Sequence, residues 1–182
     1  PSGAENPELP RFGMKVSVNE TFDNLEWFGR GPHESYWDRK TSAKIDRYKG
    51  KVIDQTYKYV RPQETGNKTD IRWLALYNGS VGLMVKGLPV FDGSVHHYDY
   101  ALLDYYKGSQ LHGKTDIIKG DQIDLIVDHK QMGVGGDNSW GAKPHPKYTL
   151  PMDTTVYNLE YAIIPFNKKN ELDALSRINI DN

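Results

Sequence analysis

The chain has 182 residues, is 37% hydrophobic and carries a formal net charge of -1, which suits one domain or one domain with a tail. With no basic surplus to neutralise phosphates, neither nucleic acid nor a membrane surface is an expected partner. Cysteine is absent, which excludes disulfides, zinc thiolates and cysteine nucleophiles, and no apolar stretch reaches the roughly 18 residues of a spanning helix.

In chain order, a proline-marked entry from Pro7 to Pro10 leads into Phe12, Met14, Val16 and Val18, alternating with Gly13, Lys15 and Ser17. Period two over this length predicts a half-buried strand. Leu25-Glu26-Trp27-Phe28 predicts a second, broken by Gly29-Arg30-Gly31-Pro32. His33 to Lys40 fits neither period and reads as a loop dense in functional groups. Ile45 to Tyr48 is at most a short element. Tyr57, Tyr59 and Val60 lead into a second polar loop, Arg61 to Asn67.

Ile71 to Tyr77 is a near-continuous apolar run, and Asn78-Gly79 separates it from Val81 to Lys86, the strongest short hairpin signal. Phe91-Asp92-Gly93 reads as a turn and Val95 to Tyr98 as a strand. Asp99 to Tyr106 is the one stretch compatible with a helix before the C-terminus. Ile123, Leu125 and Val127 form a strand that feeds a Gly-rich loop, Gln131 to Gly141. Tyr157 to Ile163 is the last clear strand. Many short strands between turn clusters point to an all-β sandwich. We expect one domain over residues 1–166 and a tail over 167–182. Leu172, Leu175 and Ile178 line one helical face there, ordered only if something packs on it.

The Gly-rich loop holds four glycines and Trp140 within eleven residues. An indole among breakers either offers a flat ligand platform or tucks back to plug the sandwich end. As a platform it would meet the C–H face of a sugar, while Asp137 and Asn138 meet its hydroxyls. Glycoside hydrolysis needs two carboxyl groups across the bond. Glu34, Asp38, Glu64 and Asp137 lie in the loops, but Asp38 beside Arg39 and Glu64 near Arg61 read as structural ion pairs. No catalytic residue is assigned. The histidines show no ligand spacing, since adjacent His96 and His97 on a strand face opposite ways, so no metal site is expected. Ser139 lacks a nucleophile elbow, and no Lys-Ser/Thr follows the glycines as a phosphate loop requires.

Three segments also carry a resemblance. Gly31-Pro32-His33-Glu34-Ser35-Tyr36-Trp37-Asp38-Arg39 resembles the motif G-P-x-E-x-Y-x-D-R. Tyr59 to Asn67 is similar to a P-Q-E-N-G-N segment, and Met132 to Trp140 to M-G-x-G-G-D-D-S-W. In this order they resemble the C-terminal, "small chain" domain of the large β-galactosidases of glycoside hydrolase family 2, from about Leu9 to Phe166. The departures are Thr65 for Asn and Asn138 for Asp, which bear on fine sugar contacts.

The resemblance implies an antiparallel β supersandwich like that of galactose mutarotase, packed on a TIM-barrel domain of the same parent chain. It implies that the catalytic glutamates belong to that barrel and that any Mg²⁺ or Na⁺ lies chiefly outside this domain, leaving no cofactor here. It implies that Trp140 stacks on the galactosyl unit, with Asp137 and Asn138 beside it and Glu34, Asp38, Arg39, Glu64 and Asn67 as loop support. The expected partners are a β-galactoside and the other domains of the parent, with homo-oligomerisation left open. A free-standing carbohydrate-binding module is one rival. A mutarotase-like enzyme, with Glu34 or Glu64 as base and a loop histidine as acid, is another.

Overall fold

The computed structural model describes residues 8–57, 59, 63–79, 81–99, 119–138 and 140–180. Among these the chain is mostly β. The strands are β1 (Glu8–Leu9), β2 (Arg11–Asn19), β3 (Asn24–Gly31), β4 (Lys44–Lys51), β5 (Lys68–Asn78), β6 (Val81–His96), β7 (Gln122–Gln131), β8 (Leu150–Pro151) and β9 (Tyr161–Phe166). A short helix, α1 (Leu172–Arg177), follows. Seven strands form one open antiparallel sheet in the order β2-β7-β6-β5-β3-β4, with β9 also paired to β6. β1 and β8 make a small antiparallel pair of their own.

The alternation of β2 places it along β7 from Arg11 opposite Gln131 to Asn19 opposite Gln122, with a bulge between Phe12 and Gly13. The Asn78-Gly79 hairpin forms as expected, with Gly79 at φ +51°, where a side chain would be strained. The apolar run of β5 is explained by a core on each face of the sheet. Leu74 and Leu76 pack with Leu25, Trp27, Val85, Phe91, Val95, Ile123, Leu125 and Val127. Trp73, Ala75 and Tyr77 pack with Met84, Phe166 and Leu172 on the other side.

Several expected boundaries are corrected. β3 continues through Gly29 to Gly31 rather than breaking there. A Cβ on Gly29 would come within 2.9 Å of the Ile71 Cα, so this glycine permits close strand approach. β4 has eight residues, not a brief element. Exposed or half-exposed throughout, it carries no alternation to betray it.

Phe91-Asp92-Gly93 is strand, not turn. The Asp92 carboxylate accepts the backbone N–H groups of Asp70 (3.3 Å) and Gln131 (3.2 Å), tying β5 and β7 to β6. The strand is long because it changes partner: Gly82–Gly87 pair with β9 and Asp92–His96 with β7. Pro89, which has no N–H to donate, falls in the gap between them. The last strand begins only at Tyr161. Tyr157 instead donates its hydroxyl to the Pro151 carbonyl (2.8 Å) and meets the Phe12 ring at 5.6 Å. The stretch compatible with a helix falls, after Asp99, outside the described residues, as do Val60 to Pro62, His112 and Ser139.

The condition set for order in the tail is met. Leu172 is buried in the second core, and Leu175 packs at its margin. Ile178 lies past the helix end and is exposed. Arg47 of β4 pairs with Asp173, and Lys86 Nζ donates to the Ser176 carbonyl at 3.1 Å. Among the described residues no helix is long and apolar enough to cross a membrane.

Candidate functional site

The two polar loops, 33–40 and 63–67, are laced together by one carboxylate. Glu34 accepts from the Tyr59 hydroxyl, the Gly66 N–H (2.8 Å), Thr65 Oγ1 (3.2 Å) and Arg39 Nη2 (2.6 Å). Burial opposes its charge, but these donors prevail and hold Glu34 below the usual carboxylate range. Asn67 completes the junction. Its Nδ2 donates to the Ser35 carbonyl (2.9 Å), and its own carbonyl accepts the Ser35 N–H (2.8 Å). A carboxylate so fully engaged is a brace, not a free base. Arg39 lies over the Tyr36 ring, and the two residues exchange backbone hydrogen bonds that close the tip of the first loop.

Asp38 reaches from that tip to the Gly-rich loop. Its Oδ2 accepts the Gly135 N–H at 2.8 Å. A Cβ on Gly133 would sit 2.7 Å from the same oxygen, which is why that position carries no side chain. The Gly133 N–H donates to the Tyr148 carbonyl (2.8 Å), and Tyr148 meets Trp37 edge-on at 5.9 Å. Lys130 Nζ caps the other ring contact, 4.4 Å from the Trp37 centroid. The result is a cavity of about 330 Å³ lined by Asp38, Arg39, Val134, Gly135, Gly136, His145 and Tyr148.

Trp140 stands beyond this cavity on the same loop and is 92% exposed. Its backbone N–H donates to Asn138 Oδ1 (2.8 Å) in a local side-chain turn, and Gly141 at φ +95° turns the chain after it. Asp137 Oδ1 is 2.8 Å from His145 Nε2, across the mouth of the loop. The Asn138 side-chain carbonyl is thus committed to the turn, and Asp137 and Asn138, like Trp140, are exposed. Trp140, Asp137 and Asn138 share one loop, and Asp38 and Arg39 share its cavity. Glu34 and Asn67 belong to the junction of the two polar loops, and Glu64 accepts from Arg11 (2.6 Å) and from the Tyr36 hydroxyl (3.5 Å).

Sequence reasoning missed a buried polar row on β2, β6 and β7. Arg11 Nη2 donates to Glu64 Oε2 (2.6 Å), and its Nη1 lies 3.3 Å from Asp128 Oδ2. Burial pushes Glu64 and Asp128 up to about 7, although Arg11 opposes the shift in both. Asp92, opposite Asp128 across the ladder, is likewise raised to about 7 by burial. His96 is lowered to about 3 by burial and then by the Lys68 and Arg11 charges. Lys68, buried against the Trp27 ring, is itself lowered to about 8. The signal for this row was present as Asp92, Ser94 and His96 at alternate positions of β6, and Asp124 and Asp128 either side of Ile126 on the same face of β7. Among the described residues, no three His, Asp or Glu side chains are placed to hold a metal ion.

Residues 2–163 match the family model described as Beta galactosidase small chain. The chain is 47% identical over 145 residues to a β-galactosidase of Priestia megaterium, covering 79% of this chain and 14% of that protein. It is 37% identical over 154 residues to one of Vibrio cholerae, covering 84% and 14%. It is 34% identical over 154 residues to one of Halalkalibacterium halodurans, covering 83% and 15%. The chain therefore spans about one seventh of the length of the curated relatives it matches.

Proposed function

Because the chain belongs to the β-galactosidase small-chain family, we propose that it is the C-terminal part of an enzyme that hydrolyses terminal β-D-galactosyl bonds. In this reading Trp140 is a wall for the galactosyl unit, and the catalytic carboxylates lie on a TIM-barrel domain outside the chain. The observation that carries it is the 92% exposure of Trp140 on a loop pinned from behind by Asp38. An indole left in water at the tip of a braced loop suits a surface completed by another module. The carboxyl groups of the two polar loops support the same division of labour. Glu34 and Asp38 are committed to bracing, and Glu64 is held by Arg11. We further read the open sheet as part of a supersandwich, and place any Mg²⁺ or Na⁺ of the parent outside this domain.

The test is Trp140→Ala in the full-length enzyme. An aromatic contact is worth about 0.5–1.5 kcal/mol beyond area burial, so KM for lactose should rise several-fold. An unchanged KM removes Trp140 from the site. The 182-residue chain alone should not turn over a chromogenic β-galactoside, and turnover would place a complete catalytic pair within it.

A further inference from the structure

We propose that a cleft between β2 and β7 is a second binding site, separate from the Trp140 loop, for a neutral polyhydroxylated ligand of monosaccharide size. The cleft holds about 220 Å³ and is lined by Arg11, Gly13, Met14, Lys15, Ile126 and Asp128. Its key group is Asp128, which is only 1% exposed. Among the described residues, none donates a hydrogen bond to either carboxylate oxygen. The 3.3 Å approach of Arg11 is an ion pair without hydrogen-bond geometry. A buried carboxylate with no donor is costly and calls for one. Hydroxyl groups of a ligand would supply it.

The backbone keeps this space open. Gly13 stands opposite Asp128, next to the bulge. Any side chain at position 13 would collide with the Asp128 carboxylate and the Val127 carbonyl. Bulges recur where a strand must re-aim a functional side chain.

Charge selects the ligand class. Arg11 is already bonded to Glu64 (2.6 Å), and Lys15 to Asp124 (2.9 Å). The cleft thus offers donors and an acceptor, and with the Asp128 carboxyl pushed up to about 7 its surplus near neutrality is at most one negative charge. A sulfate or phosphate would meet Asp128, and a cation would meet Arg11 and Lys15. A polyol satisfies both kinds of group, and Met14 and Ile126 give its C–H face an apolar wall. Burial leaves Asp128 titrating near neutrality, so the same carboxyl can accept from one hydroxyl and donate to another.

The test is an NMR titration of the ¹⁵N-labelled 182-residue chain carrying Trp140→Ala, so that the loop platform cannot contribute. The probes are galactose, glucose, sorbitol and inorganic sulfate. We expect saturable shifts at the amides of Gly13 to Lys15 and Ile126 to Asp128 with a neutral probe, and none with sulfate. Asp128→Asn should weaken that binding at least tenfold. Should Asp128→Asn fail to fold, Lys15→Ala, whose side chain is half exposed, should weaken it several-fold with an unchanged circular dichroism spectrum. No shift at those amides with any neutral probe overturns the proposal, and so do shifts with sulfate alone.

Discussion

The Gly135 N–H donates to Asp38 Oδ2 at 2.8 Å, joining two loops 97 residues apart. This bond fixes the root of the loop whose tip carries Trp140. Asp38→Ala should therefore free the loop. The other oxygen of that carboxylate is buried without a hydrogen-bond partner among the described residues, so its removal also relieves a cost. We expect a global stability loss of only about 1 kcal/mol or less. Hydrogen exchange at the amides of Gly133 and Gly135 should nonetheless accelerate at least tenfold. Unchanged exchange would mean that the loop is held by other contacts.

Gly133→Ala is expected to be harsher than Gly135→Ala. The new Cβ at 133 would lie 2.7 Å from Asp38 Oδ2 and 3.0 Å from Tyr148 Cβ, whereas at 135 the nearest atom is 3.3 Å away. Overpacking of the first kind costs about 1–3 kcal/mol. Urea unfolding of the two variants should separate them by a clear shift in midpoint.

The buried carboxyls set a pH dependence. Burial raises Glu64, Asp92 and Asp128 to about 7 from ordinary values of 4.5, 3.8 and 3.8. Between those limits the folded chain binds more protons than the unfolded one, so their contribution to stability falls as pH rises. His96, lowered from 6.5 to about 3, acts in the opposite sense: stability falls as pH drops through that window. Asp128→Asn removes one of the three carboxyl contributions. Its unfolding midpoint relative to wild type should rise between about pH 4 and pH 7, the ordinary and the raised position of Asp128. A difference that is flat or falls with pH would contradict a raised Asp128.

Leu172 is 1% exposed and seals the second core against Trp73, Tyr77 and Phe166. Leu172→Ala should cost about 2–4 kcal/mol. The nearby Trp73 should report the looser packing as a red-shifted fluorescence.

Strand alternation and turn chemistry made β2, the Asn78-Gly79 hairpin and β7 legible in the residues: β2 alternates half-buried with exposed positions, the hairpin has an unmistakable turn, and β7 alternates apolar with polar residues from Ile123 to Leu125 although both its faces are buried from Ile123 to Asp128. β4 was hidden, since exposure on both faces leaves no period. Phe91-Asp92-Gly93 looked like a turn because Asp and Gly are turn formers. What keeps it extended is non-local: backbone donors from β5 and β7 reaching the Asp92 carboxylate. The site divides the same way. The loops bearing Glu34, Asp38, Glu64 and Trp140 stood out as polar and Gly-rich text. The pairing of Arg11 with Asp128 depends on the β2–β7 register, which no local pattern encodes.

β4 forms one margin of the main sheet and carries Lys44, Asp46, Arg47, Lys49 and Lys51 within eight residues. A strand from another molecule docking there would have to bring its backbone through that charged fringe. Growth into fibrils by adding strands at this border is thereby discouraged, even though a strand paired on one side only among the described residues would otherwise invite it.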